Sequence, residues 1–303
     1  MNRSDTRARR KVDGILLLDK PRGITSNRAL QAAKRLFGAE KAGHTGSLDP
    51  LADGLLPICF GEATKIAGYL LGSRKAYLAE CLLGSNTDTD DAEGAVVRER
   101  EVPALGDERI REGLAALTGR IVQVPPVYSA LKQQGLALYK RVRRGENVSA
   151  PPREVEVYRF ELAGRPENQR LRLLVECGSG TYVRSLVRDL GEALACGAHL
   201  TALRRLWVEP FRAPRMYTLE ELDSLGTERG IAALDDCLLP IEAGLADWPA
   251  LPLEARERDA LAHGRRIASS ASPGRYRVHA QDGRLLALVE TDGQEVKVTR
   301  GFS

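Results

Sequence analysis

Strand-like and helix-like patterns follow one another irregularly along this chain, and this order limits the possible folds most strongly. Alternating apolar residues predict strands at 75–84, 154–162 and 170–177, the last two paired with each other. Helices are predicted at 107–119 and after the glycine-rich turn that opens the segment 178–197. Because strands and helices do not repeat as regular units, the pattern favours an α+β fold with a mixed, largely antiparallel sheet over a doubly wound one.

Composition excludes several classes of protein. The chain has 303 residues, 43% of them hydrophobic, enough for a sizeable core. Its longest early apolar run, 15–18, is far shorter than a signal segment or the roughly 18 residues of a membrane span, so we expect a soluble, unprocessed, cytoplasmic protein without a membrane partner. The five cysteines and four histidines have no ligand-like spacing, and no GxGxxG or P-loop occurs. We therefore expect neither a metal nor a cofactor.

Three regions are predicted from local composition. Residues 1–12 are expected to form a flexible basic arm, and residues 13–249 the main domain. Prolines concentrate in 240–253, as in a linker. The segment 250–303 contains a short helix and alternating strands separated by Asp-Gly pairs, a strong hairpin signal, and is expected to be a small β-rich domain.

Basic islands stand out more than the net charge of +4. They lie at 7–11, 140–144, 184–188 and 203–206. Any one of them is explained by a solvated helix face, but four together favour a polyanionic partner. The candidate contacts to a nucleic-acid backbone are Lys140, Arg141, Arg143, Arg144, Arg204 and Arg205.

Asp49 is an acid in an apolar and rigid setting, the segment KAGHTGSLDPLADGLLP at 41–57. Pro50 keeps the residue before it extended, while Gly43 and Gly46 allow a sharp turn or a close backbone approach. The carboxylate is therefore aimed in a fixed direction. A plain turn, with Asp49 bonded to a nearby amide, explains the same spacing.

Helix N-caps are predicted at Ser26 and at Thr181. The second would place Arg184 in a first helical turn, where the helix dipole disfavours a cation. A nearby anion would compensate, and a phosphate, a structural glutamate and a catalytic carboxylate all qualify. An arginine fork suits a carboxylate, and pairing with Asp49 would favour the ionised form of that acid.

Four segments together resemble the bacterial TruB family, the tRNA pseudouridine-55 synthases. They are 19–27 (DKPRGITSN), 43–65 (GHTGSLDPLADGLLPICFGEATK), 123–145 (QVPPVYSALKQQGLALYKRVRRG) and 180–191 (GTYVRSLVRDLG), in the order of the family. Two departures are visible: Asp53 stands where a threonine is usual, and 203–211 (LRRLWVEPF) differs after its two arginines.

The resemblance implies a pseudouridine synthase fold with a small PUA-like RNA-binding domain at 250–303. It implies an isomerase that needs no cofactor and that moves the glycosidic bond of a uridine in the tRNA T-arm from N1 to C5. By position, Asp49 would be the essential nucleophile or base and Arg184 its ion-pair partner. Tyr77 would stack under the target base and remove a proton, although a half-buried strand aromatic is the plain alternative.

Three further positions match family residues of the substrate pocket. His44 would occupy the space left by the extruded nucleotide, although a loop histidine is otherwise an ordinary surface residue. Lys20 would support the site from behind, and Leu203 would touch the base. The implied partner is the T-arm stem-loop of tRNA, bound by a monomer without an obligatory protein partner.

Two other functions fit parts of the pattern. A non-catalytic RNA-binding or tRNA-folding protein would need the basic islands without a fixed Asp49, and both roles can coexist in one chain. A guide-RNA-dependent synthase would keep the reaction, but the short N-terminal arm and the small C-terminal domain favour a stand-alone enzyme.

Overall fold

The main part of the chain is built on one mixed sheet with helices on both faces. The structure is a computed structural model that describes residues 9–72, 74–133, 135–167 and 169–302. In chain order its elements up to residue 142 are β1 (Gly14–Lys20), α1 (Ser26–Leu36), β2 (Ala42–His44), β3 (Ala52–Phe60), α2 (Ala67–Leu71), β4 (Lys75–Leu83), β5 (Ser85–Thr87), β6 (Val96–Glu99), α3 (Asp107–Ala116), β7 (Gly119–Gln123), β8 (Lys132–Gln133), β9 (Leu136–Ala137) and α4 (Leu138–Val142).

The second half of the chain completes this sheet and then forms a smaller one. Its elements are β10 (Arg153–Glu167), β11 (Arg170–Cys177), α5 (Val183–Ala193), β12 (Ala198–Val208), α6 (Leu219–Arg229), α7 (Ala232–Asp235), α8 (Ala255–Ala262), β13 (Ile267–Ala268), β14 (Gly274–His279), β15 (Leu285–Thr291) and β16 (Glu295–Gly301). Short 3-10 helices lie at Gly61–Ile66 and Ile241–Leu245.

The large sheet has the strand order β1-β3-β12-β4-β11-β10-β7, with β2 paired to β3. Its pairs are antiparallel except β12 with β3, which is parallel. The predicted α+β class, the mixed, largely antiparallel sheet and the pairing of β10 with β11 are thus confirmed. In the second sheet, of order β13-β16-β15-β14, the predicted Asp-Gly turns join β14 to β15 and β15 to β16.

Both predicted helix caps are wrong by one residue. Thr25, not Ser26, caps α1, because its hydroxyl accepts from the amide of Arg28 at 3.2 Å. The helix α5 begins after Tyr182, and no side chain caps it. The Thr181 hydroxyl instead donates to the carbonyl of Gly178 at 3.1 Å, closing the glycine-rich turn.

The central strands are buried on both faces. Successive residues of β1 alternate between two apolar clusters, so that Leu16 and Leu18 pack with α1 while Ile15 and Leu17 pack on the other face. The second of these clusters also contains Leu285 and Leu288 of the C-terminal segment. The predicted linker at 240–253 contributes Leu245 to the same cluster. The small domain is therefore packed against the large sheet.

The structure describes only part of the predicted N-terminal arm. Residues 1–8 lie outside the described residues. Residues Arg10 and Val12, which the arm was expected to include, are held by the body of the protein. The Arg10 guanidinium donates to the Phe37 carbonyl at 3.0 Å and pairs with Asp235, and Val12 is buried. The expectation of flexibility up to residue 12 is wrong for these two residues. None of the helices in the described part of the chain is long and apolar enough to cross a membrane.

Replacing Leu288 by alanine should destabilise the protein by about 3 kcal/mol, because it leaves a cavity in the cluster shared by the two sheets. Urea denaturation measures the loss in the free energy of unfolding. Val97→Ala is the control, since Val97 is 63% exposed and should cost less than about 0.5 kcal/mol. Equal losses in the two variants would show that the C-terminal segment is not stabilised by this contact.

Candidate active site

A pocket of about 540 Å³ opens on the face of the large sheet that carries α5. Its volume lies in the range of small-molecule sites. Four of the residues predicted for catalysis and substrate binding line it together: Asp49, Tyr77, Arg184 and Leu203. These residues are up to 154 positions apart in sequence, and strand pairing brings β3, β4 and β12 side by side under the pocket.

The loop before β3 holds Asp49 in a fixed pose. The Ser26 hydroxyl accepts from the amide of Leu48 at 2.7 Å and donates to its carbonyl at 3.0 Å, which explains why Ser26 does not cap α1. The carbonyl of Pro50 accepts from the amide of Gly23 at 2.8 Å. Asp49 is thus flanked on both sides by residues tied to the segment around α1. The sequence predicted a fixed direction for this carboxylate, and the hydrogen bonds supply it.

Arg184 is the ion-pair partner of Asp49. Its Nε lies 2.9 Å from Asp49 Oδ2, and its side chain is only 4% exposed. The two terminal nitrogens donate to the carbonyls of Thr89, at 2.9 Å, and Tyr128, at 3.1 Å. Of the three anions that the sequence left open for Arg184, the structure shows the carboxylate of Asp49. The guanidinium is held from three directions and cannot turn away from it.

A second carboxylate, Asp91, shares this arginine. Its Oδ2 lies 3.4 Å from Arg184 Nη1, and its side chain is buried. Asp91 lies in the acidic segment NTDTDDAEG at 86–94, and nothing in the sequence of this segment distinguishes it from its neighbours. Burial raises the pKa of Asp49 above its ordinary value, Asp91 raises it further, and Arg184 opposes both effects. The pairing predicted to favour the ionised form therefore acts against a larger effect of burial.

Tyr77 and Leu203 form the apolar part of the pocket. Both are nearly buried, at 8% exposure each, and they lie on the adjacent strands β4 and β12. Burial raises the pKa of Tyr77 to about 12, so its hydroxyl is protonated at neutral pH. A flat ring beside a leucine can hold a planar base without offering it a competing charge.

Lys20 and His44 are not among the described residues that line the pocket. Lys20 is fully buried, and its ammonium donates to the carbonyls of Pro21 and Ile24 at 2.9 and 2.8 Å. Burial lowers the pKa of Lys20 to about 8, with Asp49 opposing. His44 Nδ1 accepts from the amide of Gly46 at 3.4 Å, and burial lowers the pKa of His44. Both residues support the loops around the pocket.

Arg204 and Arg205 were predicted to contact a nucleic-acid backbone, but the structure gives them partners within the protein. Arg204 forms ion pairs with Asp19 at 2.7 Å and with Asp53 at 2.8 Å. Asp53, the departure from the family pattern, thus completes an ion-pair network. Arg205 is 1% exposed, so the expectation that it binds an RNA phosphate at the surface is wrong. Alternate residues of a strand face opposite sides, and only Arg205 lines the pocket.

The basic island at 140–144 lies on α4 and the turn after it, and the segment just before it reaches the pocket. Lys140, Arg143 and Arg144 are exposed, whereas Arg141 bonds to Glu146 at 2.6 Å and to Gln133 at 2.7 Å. Three of the four predicted cations here are therefore accessible to a polyanion.

Gln123 is a supporting residue that sequence reasoning missed. It is fully buried, and its side-chain amide donates to the carbonyl of Tyr182 at 3.1 Å and accepts from the amide of the same residue at 2.8 Å. This contact fixes the residue before α5, and with it the position of Arg184. The signal was a polar residue at the end of a strand, which is too common to be informative alone.

In the described ranges no group of three or more histidines, cysteines, aspartates or glutamates could hold a metal ion. All five cysteines are free and buried.

Comparison with known proteins assigns the chain to a family. Residues 34–183 match the N-terminal domain of the TruB family of pseudouridylate synthases, 184–246 match the tRNA pseudouridylate synthase B C-terminal domain, and 248–303 match the C-terminal domain of tRNA pseudouridine synthase II. A chain in the crystal structure of a Cbf5–Nop10–Gar1 complex is similar, with a TM-score of 0.74 and 26% identity over 96% of this chain and 85% of that one. A second similar chain, in an H/ACA RNP bound to a substrate RNA containing 2'-deoxyuridine, has a TM-score of 0.72 and 25% identity over 96% of this chain and 85% of that one.

Curated relatives match over nearly the whole length. The tRNA pseudouridine synthase B of Xanthomonas axonopodis pv. citri (strain 306) is 58% identical over 94% of this chain and 92% of its own. Proteins of the same name from Xylella fastidiosa (strain Temecula1) and Ectopseudomonas mendocina (strain ymp) are 56% and 48% identical, each over 95% of both chains. With the pseudouridine synthase fold and all three family domains in place, the chain belongs to the TruB family of pseudouridylate synthases.

Proposed function

We propose that this protein isomerises uridine 55 in the T-loop of tRNA to pseudouridine. The observation that carries the proposal is the carboxylate of Asp49, held 2.9 Å from the buried Arg184 at a pocket walled by Tyr77 and Leu203. Tyr77 and Arg184 are the other proposed catalytic groups. The tRNA substrate is supported by the name that the curated relatives share.

The reaction breaks the bond from C1' of the ribose to N1 of uracil and forms a bond from C1' to C5. A proton leaves C5, and one is gained at N1. Asp49 can attack the ribose, add to the ring or stabilise developing charge, and each route needs an ionised carboxylate beside the sugar–base junction. Its side chain keeps 42% of its surface exposed toward the pocket, so it can reach a bound nucleoside.

The position of Asp49 in the pocket supports extrusion of the target base from its stack. A uridine stacked inside a folded T-loop cannot reach a carboxylate in such a pocket, so the enzyme would extrude it and hold it between apolar groups. The exposed cations Lys140, Arg143 and Arg144 would meet the phosphates near the extruded nucleotide. The PUA-like segment 250–303 would bind the RNA further from the target.

One incubation tests the proposal. Purified protein alone, without guide RNA or a second protein, is mixed with unmodified tRNA transcript, and pseudouridine is located by mass spectrometry after chemical labelling. We expect one pseudouridine, at position 55, and none in a transcript with cytidine there. Tight binding without product would identify a non-catalytic RNA-binding protein instead. Product only after addition of a guide RNA would point to the guided alternative.

The activity should fall at acid pH because Asp49 must be ionised. Burial raises the pKa of this carboxyl above its ordinary value of 3.8, so kcat/KM should decrease as the pH drops through a value higher than 3.8. Turnover of a T-arm stem-loop between pH 4 and 8 measures this, with RNA binding followed at each pH as the control. An acid limb at or below 3.8 would contradict a raised pKa of Asp49 as the cause.

Chelation should leave the activity unchanged, since the proposed chemistry uses only protein side chains. The measurement is turnover of a pre-folded stem-loop in excess EDTA, with the RNA fold checked by its melting curve. Loss of activity that one divalent ion restores, while the RNA fold stays the same, would show that the reaction uses a metal.

A further inference from the structure

Strand β12 carries a buried arginine beside the pocket whose role the chemistry above does not explain. Arg205 is among the largest side chains that are fully buried in the described part of the chain. Burying a guanidinium costs free energy unless its donors and its charge are satisfied. Within the described ranges, no carboxylate pairs with it. The burial of Arg205 therefore needs an explanation other than an ion pair.

The partners of Arg205 belong to three different elements of the site. Its Nε donates to the carbonyl of Leu55, on β3, at 2.6 Å, and its Nη2 donates to the carbonyl of Gly46 at 3.2 Å. The residue directly opposite on β4 is Tyr77, and both side chains line the pocket. A single planar group thus bonds the loop before Asp49 to β3 and lies beside the tyrosine of the pocket.

A glycine on the neighbouring strand β3 allows the backbone of Arg205 to come close. Gly54 lies opposite Arg205 in the parallel pairing of β3 with β12 and has a φ of +95°. A Cβ at Gly54 would come within 2.3 Å of the Arg205 carbonyl, which only glycine avoids. This close approach seats the arginine deep enough to reach both Leu55 and Gly46.

We propose that Arg205 is a positioning residue, which fixes the Tyr77 side chain and the loop that carries Asp49 in one mutual geometry. It does not touch the reacting atoms in this assignment, but acts through its two neighbours. The inference rests on the proposed function, because it concerns the same pocket. Removing the guanidinium would let the loop that carries Asp49 and the ring of Tyr77 move independently. Small displacements of catalytic groups lower the reaction rate by large factors.

The charge of Arg205 has a second effect on its surroundings. Burial lowers the pKa of His44, and the charge of Arg205 lowers it further. Burial and Arg205 together lower the pKa of Lys75 to about 8, whereas Arg205 opposes the effect of burial on the pKa of the Tyr77 hydroxyl. A buried cation here therefore favours the neutral form of His44, which agrees with a role in fixing the site rather than in binding phosphate.

The test compares Arg205→Gln and Arg205→Lys in the full chain. We expect the glutamine variant to lower kcat on the T-arm stem-loop about 100-fold. Its affinity for a stem-loop with cytidine at the target position should change less than threefold. The lysine variant should recover part of the rate, because an ammonium keeps a donor and the charge but not the fork. Hydrogen exchange should become faster in residues 44–50.

The matched control is Arg172→Gln on β11. Arg172 pairs with Glu80 across the same sheet and does not line the pocket. This variant should change neither kcat nor the exchange of residues 44–50. The melting temperature of each variant is measured in parallel.

Each outcome has one meaning. If the wild type forms pseudouridine and Arg205→Gln turns over within threefold of it, the inference is wrong and the proposed function stands. If the wild type forms no product, the proposed function fails, and hydrogen exchange still tests whether Arg205 holds the loop. If Arg205→Gln unfolds, the result for Arg205→Lys decides. A kcat equal to that of the wild type in this variant overturns the inference, and a lower kcat at unchanged affinity supports it. Faster exchange over the whole sheet would mean a general structural role and overturn it.

Discussion

Asp49→Asn should abolish pseudouridine formation while leaving tRNA binding nearly intact. Asparagine keeps the shape of the side chain but removes the charge that every proposed route requires. Turnover below a hundredth of the wild-type rate, a barrier increase of more than about 2.7 kcal/mol, is the expected result in a single-turnover assay. Filter binding of the same tRNA should give an affinity within threefold of the wild type.

The neighbouring acid provides the control for this variant. Asp53 lies four residues further on and pairs with Arg204, so Asp53→Asn should keep wild-type turnover. Asp49→Asn should also not lower the melting temperature at neutral pH. The pKa of Asp49 is raised in the folded protein, which means that its ionised form opposes folding above the ordinary value of 3.8. Measurable turnover above one hundredth would exclude an essential carboxylate.

Arg184→Met should lose far more activity than Arg184→Lys. Methionine matches the bulk of the arginine stem but leaves Asp49 and Asp91 close together without a cation. The pKa of Asp49 should rise without this cation, so less of the carboxylate is ionised, and a loss of about 1000-fold in kcat is expected. Lysine retains the charge and should lose roughly 10- to 100-fold, because it cannot also satisfy the carbonyls of Thr89 and Tyr128.

Arg188→Met is the matched control on the same helix. Arg188 pairs with Asp90 at 2.9 Å and does not line the pocket, so its loss should affect stability more than kcat. Equal losses in Arg184→Met and Arg184→Lys would show that Asp49 requires the planar fork and not the charge. A larger loss in Arg188→Met than in Arg184→Met would place the important cation elsewhere.

Local sequence patterns determined the strands of the fold and the fixed backbone conformation of Asp49. Apolar alternation gave β10, β11 and the C-terminal hairpins, because a strand buried on one side must alternate. Pro50 fixed the backbone at Asp49, because the restriction acts between adjacent residues. The caps of α1 and α5 were misplaced, since Ser26 and Thr181 use their hydroxyls in contacts that local rules do not include.

The tertiary structure alone decided which charges belong to the site. Arg204 and Arg205 are adjacent in sequence and read as one basic island, yet strand alternation sends them to opposite faces of the sheet. Asp91 joins Arg184 from a distant turn, and Gln123 holds Tyr182 from the end of β7. Pairings of this kind depend on burial and on strand register between segments far apart in the chain. A sequence can state which residues are able to ionise, but only packing determines which of them share a guanidinium and which are shielded from water.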